Sequence, residues 1–524
     1  MSLHINNNRL QNSFSLFIFF VAHVIRIPFD PNPHHDGLMY TAAIASSTGL
    51  FPHRDFFSQY GPLTPFIHGL WFLISPNTLL SLRFFNALLL SATSLLLFHV
   101  LRNRVGSRIS FLITLIWSIS SPEILPAGLP WPSVVSTLIL LAAIYIVDIF
   151  KIRPSKGIVF LVGILTALTL FARIHNLIIP VLFTILCIQT KRYRLLAQFL
   201  LGYLSCITIV LGILYVNSGF LPFIQQSIVW PVLGHAGTTY GAKAMLVNAL
   251  LLLQFPFFAF MLWFTSRLPG KNSLFAIAIL TTCLLAAYLY SRSIPKIPVS
   301  ERSFAKVNYL SAFVAQQSLQ MMIYGLIAVC MVLQFKAISK RLCYSQSSIL
   351  ISSISVGAIF QLYPSPDTYH VWWVTPVLLA GLPTSSSLTF IRFTKPKILI
   401  AILIVNFFHV SEVISFDRAR YQSSILAGMY GNEQEADQAL IAIENLLPVR
   451  SAHFECVERL FASNTMGYLA NDVLYVNWPK NVENPRKGSA KFIVECGSPQ
   501  ALVKKNQTVV WSNAIITIRK VRQD

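Results

Sequence analysis

The sequence predicts an all-α polytopic membrane protein with a small C-terminal α+β domain outside the membrane. Three observations predict it. Hydrophobic residues form 55% of the 524 and charged residues only 11%, with a mean hydropathy of +0.62. A soluble chain of this length would divide into domains with charged surfaces. Apolar runs of about 20 residues recur instead, long enough as helices to cross a hydrocarbon core of roughly 30 Å. The acids are displaced towards the end: twelve of the 19 lie from Glu412 onward.

Taken in order, the runs predict about 13 transmembrane helices, near 13–29, 80–101, 109–121, 131–150, 157–172, 177–190, 196–216, 246–266, 273–290, 314–335, 345–361, 371–390 and 398–414. The first run has no small-residue cleavage site after it and reads as a retained anchor. Residues 1–414 thus form a multi-span unit, and 415–524 an extracytoplasmic α+β domain.

The net charge of +21 does not point to nucleic acid, because its distribution follows the membrane. The connectors "RNRVGSR" (102–108), "KIRPSKG" (151–157), "KRYR" (191–194), "RLPGK" (267–271), "KAISKR" (336–341) and "RFTKPK" (392–397) are basic and lack acids. They are alternate connectors, as the positive-inside rule requires of cytoplasmic loops. The opposite set, including 30–63, 122–130, 217–244, 291–313 and 363–370, holds nearly all acids before Glu412. This places the N-terminus in the cytoplasm, and loop 30–63 and the tail outside.

Within the tail, "EQEADQALIAIENLL" (433–447) has helical apolar spacing. "KFIVEC" (491–496) and "QTVVWSNAIITIRKV" (507–521) are rich in β-branched residues and read as strands. Cys456 and Cys496 are the only cysteines in the exported tail, and an oxidising compartment would permit them to pair. No zinc spacing, phosphate-binding glycine loop or serine-nucleophile elbow occurs.

The first outward loop holds three carboxylates, Asp30, Asp36 and Asp55. Asp36 and Gly37 precede "LMYTAAIASSTGL", which suits a short helix at the membrane surface ending at Gly49. Asp36 then has two readings: an N-cap accepting free backbone amides, or a base pointing into a cavity at the outer face. Asp55 is either a surface partner of Arg54 or a second functional carboxylate.

Asp-Gly after the first span, then the surface helix, then "RDFFSQYGP" with Tyr60, resembles the first outward loop of the GT-C superfamily of polytopic glycosyltransferases. The likeness is to the protein O-mannosyltransferase and aminoarabinose-transferase type. "LRFFN" (82–86), "YPSPDTYHVWWVTP" (363–376) and the exported tail extend it. Members of that type often carry a second acid beside the loop aspartate; here Gly37 follows Asp36, which leaves the need for a divalent metal open.

The resemblance implies transfer of a sugar from a polyprenyl-phosphate donor to a lipid, glycan or protein acceptor, at the outer face of a bacterial inner (plasma) membrane. Asp36 would take the acceptor's proton, with Asp55 supporting it or orienting the acceptor. The leaving phosphate needs cations and hydrogen-bond donors. Tyr60, Arg173, His175, Lys243, Arg292, Lys296, Asp367 and His370 are the candidates for donor binding; as ordinary residues, the cations would contact lipid headgroups or water. Glu123 could join Asp36 at a metal. The competing reading is a transporter or flippase of lipid-linked sugars, which would place ionisable groups within spans near the midplane. A non-catalytic scaffold would leave the loop aspartates unexplained.

Overall fold

The structure is a computed structural model. It describes residues 2–29, 31, 35–56, 58, 60–119, 129–150, 154–229, 345–362 and 368–381, and in the C-terminal part 419–424, 426–427, 429–431, 434–446, 452–454, 492–496, 507–512 and 516–521. Its first helices are α1 (Ser2–Val24), α2 (His35–Ser47), α3 (Leu63–Phe72), α4 (Leu79–Val105) and α5 (Ser107–Ile119). There follow α6 (Pro132–Ile149), α7 (Lys156–Leu170), α8 (Ile178–Gln189), α9 (Tyr193–Val216) and α10 (Phe220–Ile224), then α11 (Gln346–Ala358) and α12 (Thr368–Ala380).

Local chemistry starts the helices where they start. Thr78, Ser155 and Ser345 accept the amides of Ser81, Ile158 and Ser348, capping α4, α7 and α11. Pro132 opens α6, where its missing N–H costs nothing. Among the described residues, α4, α6 and α9 are long and apolar enough to cross a membrane, and seven shorter apolar helical stretches accompany them. The protein is an integral membrane protein. Large apolar side chains stay exposed along α8 (Val181, Ile185, Ile188) and α9 (Leu201, Leu204, Ile209, Ile213), surfaces suited to lipid.

Nine of the thirteen expected spans fall on described helices; those at 246–266, 273–290, 314–335 and 398–414 lie outside the described residues. Helix α3 was not anticipated. Helix α2 forms, but it begins at His35, which puts Asp36 in its first turn. From Asp36 to Ala45 it is buried against the rest of the protein. Gly49, at φ +84°, ends it, its amide bonding to Ser46 O.

Two contacts show how the bundle is held. Trp117 and Trp372 stack with centroids 5.0 Å apart, and each indole N–H donates to the other's carbonyl at 2.9 Å, joining α5 to α12. Helices α7 and α9 touch through glycine: a Cβ on Gly163 would lie 2.3 Å from Phe199 O, and one on Gly202 2.0 Å from Phe160 O. Small residues allow such approach where lipid provides no hydrophobic drive between helices.

In the C-terminal part, strands β1 (Ala419–Arg420) and β2 (Tyr430–Gly431) form an antiparallel pair, followed by α13 (Gln434–Leu446). Strands β3 (Ala452–Phe454), β4 (Phe492–Cys496), β5 (Gln507–Ser512) and β6 (Ile516–Val521) form a sheet ordered β3-β4-β6-β5, with β3 and β4 parallel. The strands expected at 491–496 and 507–521 are present, the second as the two arms of an antiparallel pair. Asp437 on α13 accepts the amides of Gln422 (2.8 Å) and Ser423 (2.9 Å), tying the β1–β2 connection to the helix. Cys456 lies outside the described residues.

Candidate functional site

The first neighbourhood is built on Asp36. Its side chain is fully buried and ion-paired with Arg83 of α4, also fully buried. Arg83 Nε donates to Asp36 Oδ1 at 3.2 Å and Nη2 to Oδ2, a two-pronged geometry that fixes the carboxylate plane. Arg83 Nη1 donates to the carbonyls of Ile27 (2.9 Å) and Phe29 (2.8 Å) where α1 ends. Neither charge would survive burial alone; removing one partner of such a pair typically costs about 3–5 kcal/mol.

Asp55 lies elsewhere. It accepts from the neighbouring Arg54 at 2.6 Å and from the Phe51 amide at 2.7 Å, and is part exposed. Its turn contains His53 in the left-handed region, at φ +70°, a conformation that costs energy for a residue with a Cβ. Gln226, in a π-helical turn at Gln225–Val229, secures that turn. Its Oε1 accepts from the Ser58 amide (3.0 Å) and from His53 Nδ1 (3.1 Å), while its Nε2 donates to His53 O (3.0 Å). Burial pushes the His53 pKa down to about 4, against the raising effect of Gln226. The ring is neutral near pH 7.

The second neighbourhood gathers Tyr60, Arg173, His175 and His370. The buried Arg173 guanidinium lies 5.5 Å from the Tyr60 ring centroid and donates to Gln361 O at 3.3 Å. His175 lies two residues on, in the 3-10 turn Ile174–Leu177 between α7 and α8. Its pKa is pushed down to about 3 by burial, with repulsion from Arg173 and His370 adding to it. Aromatic rings enclose the group: Tyr60 meets Trp131 edge-on at 5.2 Å, Trp131 stacks on Trp373 at 6.2 Å, and His370 meets Trp373 edge-on at 5.5 Å. Gly61 allows the Tyr60 loop to lie on α7's end, since a Cβ there would fall 2.0 Å from Phe171 O. Behind the cluster, Asn176 Nδ2 donates to Ser136 Oγ (2.8 Å) and Gln361 Nε2 to Asn176 Oδ1 (3.0 Å).

One segment links the two neighbourhoods. Asn86, three residues beyond Arg83 on α4, donates to Leu129 O at 2.9 Å, two residues before Trp131. The arrangement offers a buried carboxylate held by a guanidinium, joined to an aromatic-walled group with one buried cation and two imidazoles. Such a group can hold an anion and a ring-shaped ligand.

Lys243, Arg292, Lys296, Asp367 and Glu123 lie outside the described residues. Arg83 within "LRFFN", Trp131, Trp373 and Gln361 join the site without being among the residues the sequence points to. An ionisable residue opening an apolar run was the available signal for Arg83. Among the described residues no three His, Cys, Asp or Glu side chains come together to hold a metal. At Asp36, both oxygens already meet the Arg83 guanidinium, so a cation there would face a like charge. The described residues do not fit a metal, and no step below uses one.

No family model and no curated protein matches the sequence. Solved structures do. An oligosaccharyltransferase from Archaeoglobus fulgidus, tethered to an acceptor peptide with the NVT sequon, matches at TM-score 0.51 and 11% identity, over 93% of this chain and 69% of that one. The same organism's oligosaccharyltransferase AglB, in complex with an inhibitory peptide and a dolichol-phosphate, matches at TM-score 0.51 and 9% identity over the same shares. ArnT from Cupriavidus metallidurans, bound to undecaprenyl phosphate, matches at TM-score 0.45 and 11% identity, over 98% of both chains. At this identity the likeness is one of fold: the chain shares the fold of the Archaeoglobus fulgidus oligosaccharyltransferase.

Proposed function

We propose that the protein is a membrane glycosyltransferase moving a sugar from a polyprenyl-phosphate donor to a lipid, glycan or protein acceptor at the outer face of a bacterial inner membrane. The observation that carries the reading is the buried Arg173 against Tyr60, beside His175 and His370. A lipid phosphate is a thin anion, and a buried cation among hydrogen-bonding rings suits it. AglB, of the same fold, was solved with dolichol-phosphate, which supports a lipid-phosphate ligand for this chain.

In this reading residues 1–414 hold about thirteen spans with loop 30–63 outward, and 415–524 form the outer α+β domain. Tyr60, Arg173, His175 and His370 bind the donor, joined by Lys243, Arg292, Lys296 and Asp367. Asp36 takes the proton of the acceptor hydroxyl as that oxygen bonds to the anomeric carbon. The bond from that carbon to the phosphate oxygen breaks, its electron pair leaving on the phosphate beside Arg173. Arg83 keeps the Asp36 carboxylate aimed. Asp55, held by Arg54 and the Phe51 amide, is given no part in this step.

The test is binding of polyprenyl phosphate without sugar to the purified protein in nanodiscs. Arg173→Gln is expected to weaken it at least tenfold in folded protein. Equal affinity of the variant and the unaltered protein would overturn the assignment.

A further inference from the structure

We propose that the C-terminal hairpin, β1 and β2, is a positioning element of the carboxylate site, acting through the three residues Ile27–Pro28–Phe29. This rests on the catalytic reading of Asp36 given above. The three carbonyls of that segment divide their partners. Those of Ile27 and Phe29 both accept Arg83 Nη1, at 2.9 and 2.8 Å. That of Pro28, between them, accepts the amide of Tyr430 at 2.7 Å. Phe29 and Tyr430 also pair as an isolated parallel β-bridge, with their rings 6.0 Å apart. The segment that follows α1 is therefore held from one side by the guanidinium that grips Asp36 and from the other by the tail.

The tail side is itself anchored. Arg420 pairs with Tyr430 in the β1–β2 ladder, and the Tyr421 amide donates to Met429 O at 3.0 Å. Tyr421, Leu426, Met429 and Leu440 are buried in the same core as Leu38, Met39 and Ala42 of α2, the helix that carries Asp36. Asp437 binds the hairpin connection to α13. The hairpin thus meets the segment that follows α1, and through its carbonyls Arg83, which grips the carboxylate.

The physical consequence follows from burial. A guanidinium removed from water must have its N–H groups met, because a buried donor without a partner costs about 1–3 kcal/mol, and more for a charged group. The Ile27 and Phe29 carbonyls do this for Nη1. If Tyr430 releases Pro28, those carbonyls are less constrained, and so is the aim of Arg83 on Asp36. Tyr430 acts through Arg83 and is a positioning residue. The outer domain is then part of the catalytic machinery, and a ligand that draws the hairpin away lowers turnover.

Tyr430→Pro removes the amide that donates to Pro28, whereas Tyr430→Phe keeps both amide and ring. Two measurements are needed. In a thermal-shift cycle on the full chain with Arg83→Lys, the Tm losses of Tyr430→Pro and Arg83→Lys should sum to clearly more than the loss of the double variant. Additive losses would overturn the coupling, whether or not any donor is turned over. In kinetics, Tyr430→Pro should lower kcat about tenfold or more with donor KM within about threefold, and Tyr430→Phe should keep normal turnover. Unchanged kcat in Tyr430→Pro, or a change in KM alone, would overturn the positioning role. Coupling without donor consumption by the unaltered protein would leave the docking standing and remove the glycosyl-transfer reading beneath it.

Discussion

Arg173 places its guanidinium 5.5 Å from the centroid of the Tyr60 ring, buried, so a residue from the loop before α3 and one from the α7–α8 turn lie against each other. A desolvated contact of this kind contributes about 1–2 kcal/mol. Tyr60→Phe keeps the ring and is expected to bind donor normally. Tyr60→Leu leaves the Arg173 guanidinium less fixed and should raise donor KM by about fivefold or more. Equal KM values for the two variants would show that the ring contributes nothing to binding.

Acid stability should report on His53. Burial lowers its pKa from 6.5 to about 4 in the folded protein, so the unfolded chain takes up the proton first as pH falls. The stability from the neutral ring is complete above about pH 6.5 and is lost as pH drops towards 4. Over that window the loss is up to about 3 kcal/mol for this group, with His175 adding to it down to about pH 3. His53→Asn tolerates the left-handed backbone and should flatten the Tm–pH curve between 6.5 and 4. A variant curve parallel to the original would remove His53 as its source.

The α7–α9 contact makes a paired prediction. At Gly202 an added methyl would fall 2.0 Å from Phe160 O, whereas at Gly212, on the same helix, nothing lies within 4 Å. Gly202→Ala should destabilise by about 1–3 kcal/mol through overpacking. Gly212→Ala should be neutral or stabilising by up to about 1 kcal/mol. Thermal shifts in one detergent compare them directly; equal shifts would contradict the close packing.

Much of this was legible in the sequence, and the reasons are local. Spans announce themselves through apolar length, and α4, α6 and α9 lie close to where their runs begin and end. Helix α3 did not, because ten residues containing His68 carry no span-length signal. The burial of α2 was hidden in small residues: "TAAIASS" suits a surface turn as well as close packing. Arg173, His175 and His370 stand at the ends of apolar runs, where ionisable residues draw notice in a sequence. That Arg83 grips Asp36 from 47 positions away is a tertiary fact, and local pattern could not supply it. Nor could pattern pair Trp131 with Trp373, since aromatic residues at span ends commonly sit at the membrane interface.

Orientation is open to direct test. Arg54 is exposed in the first loop, while Lys191 lies in the basic connector between α8 and α9. In intact cells Arg54→Cys should react with a membrane-impermeant thiol reagent, and Lys191→Cys only after permeabilisation. The reverse pattern would turn the protein over and take the outer-face reaction with it.

The central claim is glycosyl transfer with Asp36 as the base, and the release of polyprenyl phosphate from a panel of polyprenyl-phosphate sugars by the purified protein tests it most directly. One donor should be consumed in the presence of acceptor. Folded Asp36→Asn, which keeps the side chain's shape but not its proton affinity, should release it roughly 10²–10⁴-fold more slowly with donor binding largely kept. Consumption of no donor in the panel, or an Asp36→Asn protein working at more than a tenth of the normal rate, would contradict the account.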